Sequence, residues 1–165
     1  MRPSRQANEE VEAVGKVDVL RPYVEKVVKE YLEVEGDLIV DDDGDIPVRV
    51  GTAMYFVRIL DLDPVLVRVY SVVVDNVKRS AKLLTKVNEL NSNAYMLRWF
   101  WVPDRVIVAT ELLAESMDKD ELGLACKELG NMADQLDDEL KGDFGGTTWF
   151  ADDGDGEGDE ESVEV

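Results

Sequence analysis

Residues 53–74 read AMYFVRILDLDPVLVRVYSVVV, and their pattern decides the fold class. Two runs rich in β-branched and aromatic residues, 53–60 and 65–74, flank Asp61, Leu62, Asp63 and Pro64. Proline cannot donate to a sheet ladder and acids favour turns, so the pattern predicts two strands joined by a tight connection. Working outward, residues 38–40 and 46–50 are short extended runs around an Asp-Gly step at Asp43 and Gly44, the signature of a hairpin. Aligning Gly44 with the glycine of a calcium loop puts Ile39 and Val50 at ligand positions, which excludes that alternative.

Helices border these strands. Leu20, Tyr23, Val24, Val27, Val28, Tyr31 and Leu32 recur at helical spacing, with Asp18 as the expected cap, Pro22 in the first turn and Gly36 at the end. Beyond a turn at Asp75 and Asn76, the residues Val77, Ala81, Leu84, Val87 and Leu90 mark a second helix. Asn88, Asn91 and Asn93 are read as its polar face and terminus, because asparagine tolerates left-handed backbone. Residues 95–102 and 106–112 form a second hairpin around Pro103 and Asp104. Within it Trp99 and Trp101 share one side and Phe100 takes the other. Asp118 with Glu121 opens a third helix through Leu122, Cys126, Leu129, Met132, Ala133 and Leu136. The reading is an α+β domain with an antiparallel sheet of about five strands and three helices, in the order α-β-β-β-α-β-β-α. Residues 1–18 are expected to be a flexible segment, 19–142 the domain, and 143–165 an acidic, disordered tail.

Composition narrows function. The chain has 165 residues, no histidine, one cysteine, and 37 acidic against 18 basic side chains. Without histidine the usual general base and the commonest transition-metal ligand are missing, and no Gly-rich phosphate loop is present. No catalytic residue, metal or cofactor is assigned, and the chain is read as non-enzymatic. A net charge of −19 argues against nucleic acid and membrane surfaces as partners. No apolar run reaches the roughly 20 residues of a membrane helix, and the first 15 residues lack a secretory core, so a cytoplasmic location is expected. Cys126 has no partner for a disulfide and is read as a packed, reduced thiol. Asp153, Asp155, Glu157, Gly158 and Glu164 match calcium-loop spacing, but Glu160 occupies the usual apolar position, so a solvated acidic run is the reading.

Arg49, Val50 and Gly51, then Tyr55 to Val57, Val67 to Tyr70, Leu90 and Asn91, and Arg98 to Trp101 together resemble the YbjN family, which is related in fold to type III secretion chaperones. The closing helix, with Met132, Ala133, Asp134, Leu136 and Asp137, fits the same pattern. The resemblance implies a protein-binding fold: a small, acidic, usually dimeric protein that holds an extended client segment. The long acidic-aromatic tail departs from that pattern.

One pattern lies outside the resemblance. Arg49, Arg58, Arg68 and Arg98 each stand alone among the basic residues of a predicted strand. Alternation sets Arg58 with Phe56, Arg68 with Tyr70 and Arg98 with Phe100, so these arginines line one sheet face. They either pair across strands with carboxylates such as Glu111 or form a binding face. The candidate site for a partner or anion is therefore Arg49, Arg58, Arg68, Arg98, Trp99, Trp101, Trp149 and Phe150, the last two folding back from the tail to guard the face. The expected function is a chaperone-like or regulatory adaptor that holds an unidentified protein client as a homodimer. The alternative is a regulatory domain that senses a small anionic ligand through the arginine face.

Overall fold

The computed structural model describes residues 15–150 and the backbone of residues 163 and 164. Helix α1 (Lys16–Leu32) leads into strands β1 (Ile46–Val50), β2 (Ala53–Leu60) and β3 (Leu66–Asp75). Helix α2 (Ala81–Asn93), strands β4 (Arg98–Val102) and β5 (Arg105–Leu113), and helix α3 (Lys119–Phe144) follow, with a two-residue strand β6 (Val163–Glu164) near the end. The sheet order is β4-β5-β3-β2-β1-β6. Its first five strands are antiparallel, as the hairpin signals predict, and only β6 joins β1 in parallel.

Strand alternation divides the sheet into two unlike faces. Val48, Tyr55, Val57, Val67, Val69, Trp99, Val106 and Val108 point to one side and share a single core with α1, α2 and α3. The helices supply Val24, Val28, Leu83, Val87, Leu122, Leu129, Ala133 and Leu140 to that core. A register shift between Val72 and Val74 lets both Val73 and Val74 be buried. Among the described residues, no helix lies over the opposite, outer face.

Several local expectations change. Asp18 is not the cap of α1: Gly15 is, and Asp18 sits at the third helical position, where its carboxylate accepts the Gly15 N–H at 3.3 Å. The helix thus begins inside the segment expected to be flexible, of which residues 1–14 lie outside the described residues. Pro22 consequently sits inside the helix, with no N–H to offer the Asp18 carbonyl. Glu33, with φ 55°, ends the helix before Gly36 is reached. Residues 38–40 form no strand, because β1 pairs with β2 only from Ile46 onward. The turn below them is real: Asp41 N–H donates to Asp45 O at 2.9 Å and Gly44 N–H to Asp41 O at 3.0 Å. Helix α2 is capped by Ser80, whose hydroxyl accepts the Leu83 N–H, so Val77 belongs to the preceding loop. Asp118 caps α3 as predicted, accepting the Glu121 N–H at 2.9 Å. Burial pushes the Cys126 thiol up to about 12, in keeping with a packed thiol.

The expected tail boundary also moves. Helix α3 runs on to Phe144, and residues 145–150 lie against the sheet instead of leaving it. Gly145 and Gly146, at φ 76° and 96°, reverse the chain after α3. A Cβ on Gly146 would stand 2.4 Å from the Asp75 carbonyl oxygen, so this close return requires glycine. Residues 151–162 of the expected tail, including the calcium-spaced Asp153, Asp155 and Glu157, lie outside the described residues.

Candidate functional site

The outer face carries all four arginines singled out in the sequence. Arg58 and Arg68 are register partners, Arg68 lies opposite Glu111, Arg98 opposite Ala109, and Arg49 opposite Met54. Each of the central three already has a carboxylate of its own chain. Arg58 forks onto Asp45, which is 2% exposed and also accepts the Tyr70 hydroxyl at 2.6 Å. Arg68 Nε donates to Glu111 at 2.8 Å, and Arg98 grips the same carboxylate through Nε at 3.2 Å and Nη2. Burial works against the charge on Glu111, but the two guanidiniums outweigh it and hold the carboxyl below its usual range. Burial and the Asp45 carboxylate raise the Tyr70 phenol well above its ordinary value, so it stays a hydrogen donor. Arg105 continues the row, with Nε 3.2 Å from Asp75 Oδ1.

Aromatic rings fill the spaces between these pairs. Phe56 and Tyr70, cross-strand partners, stack with centroids 5.3 Å apart. The Arg98 guanidinium lies 5.1 Å from the Phe100 ring centre. Phe56, Arg58, Arg68, Tyr70 and Phe100 line an open groove of about 620 Å³, with Asp41, Asp43, Asp45, Asp75 and Arg105 among its other walls. Its chemistry is mixed: apolar rings, arginines partly neutralised by their acids, and hydroxyls at Tyr70 and Thr147.

The chain itself supplies part of the groove's wall, through Thr147, Thr148 and Trp149. Thr147 exchanges two backbone hydrogen bonds with Asp75, both 2.8 Å, at the end of β3. Trp149 then packs at 5.5 Å from Phe56 of β2, and Phe150 lies under the Arg49 guanidinium of β1 at 4.0 Å. Phe56 is 8% exposed although no helix covers it. Four of the residues singled out in the sequence are thus strand arginines on this face, and two are the rings that cover part of it.

Trp99 and Trp101 require a correction. Both turn towards the helices: Trp99 is 2% exposed, and the Trp101 indole donates to the Val77 carbonyl at 3.1 Å. Large apolar rings gain most from the closed side of the sheet, so alternation leaves Phe100 as the outer aromatic. Sequence reasoning missed Asp45, which shares the parity of Pro47 and Arg49 and so belongs to the outer face. No group of histidine, cysteine or carboxylate side chains among the described residues is arranged to hold a metal ion.

A second, smaller groove of about 270 Å³ opens on the helix side, between the α2–β4 connection and α3. Tyr95, Met96 and Leu124 around it are 90%, 61% and 48% exposed. Sequence placed Tyr95 and Met96 in a strand, but Met96 adopts φ 64° and strand pairing begins only at Arg98.

Among solved structures, the "Crystal Structure of the ExsC-ExsE Complex" contains a chain similar to this one at TM-score 0.56 and 12% identity, over 72% of this chain and 94% of that one. The "Structure of the HopA1-SchA Chaperone-Effector Complex" gives TM-score 0.54 and 12% identity, over 73% and 94%. At that identity the likeness is one of fold. No curated protein matches the sequence. Residues 18–152 match TY-Chap1, and the chain belongs to this family, described as T3SS (YopN, CesT) and YbjN peptide-binding chaperone 1.

Proposed function

We propose that this protein is a chaperone-like binding module that holds an extended segment of a client polypeptide against the outer face of its sheet. The observation that carries this reading is the unlike pair of faces. Three helices cover one side of the sheet, while the other presents a groove of about 620 Å³ lined by Phe56, Tyr70, Phe100 and arginines. Rings give an extended chain apolar contact, and guanidiniums with spare N–H groups give its carbonyls and acids hydrogen bonds. The family description and the chaperone–effector complexes of the same fold support it.

The anion-sensor alternative has less behind it. Arg58, Arg68 and Arg98 are already engaged by Asp45 and Glu111, so a small anion would have to displace a built-in carboxylate. The reading includes no chemical step. It also includes a homodimer, in which a second copy covers Tyr95, Met96 and Leu124 on the helix side, and a cytoplasmic location. Burying those exposed side chains against their counterparts would stabilise the pair without obstructing the outer groove.

The test is native mass spectrometry of the full chain captured from its own cells, beside Phe100→Asp. A second polypeptide at fixed stoichiometry with the native chain, and at least tenfold depleted from the variant, is expected. A client retained undiminished by Phe100→Asp would move the binding surface off this face. A small anionic adduct with no second polypeptide would favour the sensor.

A further inference from the structure

We propose that residues 147–150 are a resident occupant of the client face, where they wall its groove, and that this face selects extended segments presenting adjacent aromatic residues, as Trp149 and Phe150 do. This rests on the reading of the outer face as the client surface. The path of the segment supports it. From Thr147 at the end of β3, the chain steps to Phe56 on β2 and Arg49 on β1, crossing three strands in four residues. Further along, the backbone of Val163 and Glu164 pairs in parallel with Val48 and Arg49 at the β1 edge. Main-chain pairing at an edge together with side chains seated in a groove is the way folded domains take up extended peptides.

The attachment is slight enough to be exchanged. Trp149 remains 39% exposed while touching Phe56, and Thr147 contributes the only strand-like backbone bonds of residues 145–150. Phe150 meets a guanidinium whose hydrogen bond among the described residues goes to the Gly51 carbonyl, at 3.1 Å. A cation over a ring on a partly exposed surface is a weak contact, which a competing aromatic residue can replace. What holds the segment is tethering: a linked group acts at an effective concentration on the order of 1 mM. A client of sub-millimolar affinity therefore competes with the segment for the part of the face that it covers.

The experiment uses the full chain and a fluorescent peptide of its own residues 145–165 as probe, followed by anisotropy. With Trp149 and Phe150 both replaced by serine in the protein, the probe is expected to bind about tenfold tighter than to the native chain. A tether near 1 mM against a probe affinity near 0.1 mM gives that factor. Adding Phe56→Ala to the serine variant is expected to remove the gain, and a probe lacking both rings is expected to bind at least tenfold more weakly. Equal binding to native and variant protein would overturn the competition while leaving the client surface intact. No binding to either would overturn the proposal. The client surface itself is decided separately, by the mass-spectrometric comparison with Phe100→Asp.

Discussion

At the scale of single residues, one hydroxyl ties the β1–β2 turn to helix α3. Thr52, in the β1–β2 turn, lies with Oγ1 3.0 Å from Asp134 Oδ1 and 2.9 Å from Asp137 Oδ2, both on α3. A hydroxyl has one hydrogen, so it serves only one of two ionised carboxylates at a time. The other oxygen then faces a lone pair unless its own carboxyl carries a proton. Asp137 is 1% exposed, and burial, opposed by Thr52 and the Asp138 N–H but reinforced by neighbouring acids, raises its carboxyl above its ordinary value. The sign follows: folding disfavours the charged form, so the penalty is full above the raised value and is relieved as pH falls through it towards 3.8. Asp137→Asn removes the charge and supplies an N–H to the hydroxyl oxygen. It is expected to stabilise the fold at pH 7, an advantage that shrinks on acidification and is absent below 3.8 in urea titrations. Gly51 belongs to the same constraint, since at φ 54° a Cβ there would stand 2.2 Å from Asp134 Oδ1. The glycine at 51 and the acids at 134 and 137 were visible in the sequence as a shared pattern. Their contact was not, because they are joined by folding across more than 80 positions.

At the scale of elements, strand parity was legible and strand partners were not. Alternation alone set Arg58, Arg68 and Arg98 on one face and named Glu111 as a counter-charge. It did not show Asp45, which lies outside any strand. An apolar triplet at 38–40 reads like a strand, yet no neighbour offers it a ladder. Asparagine 91 is the clearest case of a role hidden from local reading. Expected to help terminate a helix, Asn91 instead accepts the Trp99 N–H at 2.8 Å and donates to the Trp99 carbonyl at 2.7 Å. Its side-chain amide thus takes the place of a neighbouring strand along β4, the last strand on that side of the sheet. Asn91→Ala is expected to cost about 1–3 kcal/mol, since it strands a donor and an acceptor that water reaches poorly. Chemical denaturation measures that loss, and light scattering at high concentration is expected to report self-association that the native chain does not show.

At the scale of the whole molecule, charge and sheet geometry act together. A chain at −19 repels itself, and the built-in pairs on the outer face concern only a few of its 37 acids. Raising salt screens that repulsion more than it weakens half-buried pairs. The melting temperature is therefore expected to rise by a few degrees between about 20 mM and 500 mM sodium chloride, where the Debye length falls several-fold. A fall would mean that the arginine–carboxylate row contributes more to stability than the excess charge removes. The two margins of the sheet complete the picture. At β4, Asn91 stands in for a neighbour, while at β1 the backbone takes Val163 and Glu164. A sheet open at both margins is a repeating unit, each copy offering the next a place to join, and such units lengthen into fibres. Capped at one margin by a side chain, this sheet has a single direction of growth and comes to a stop after one addition.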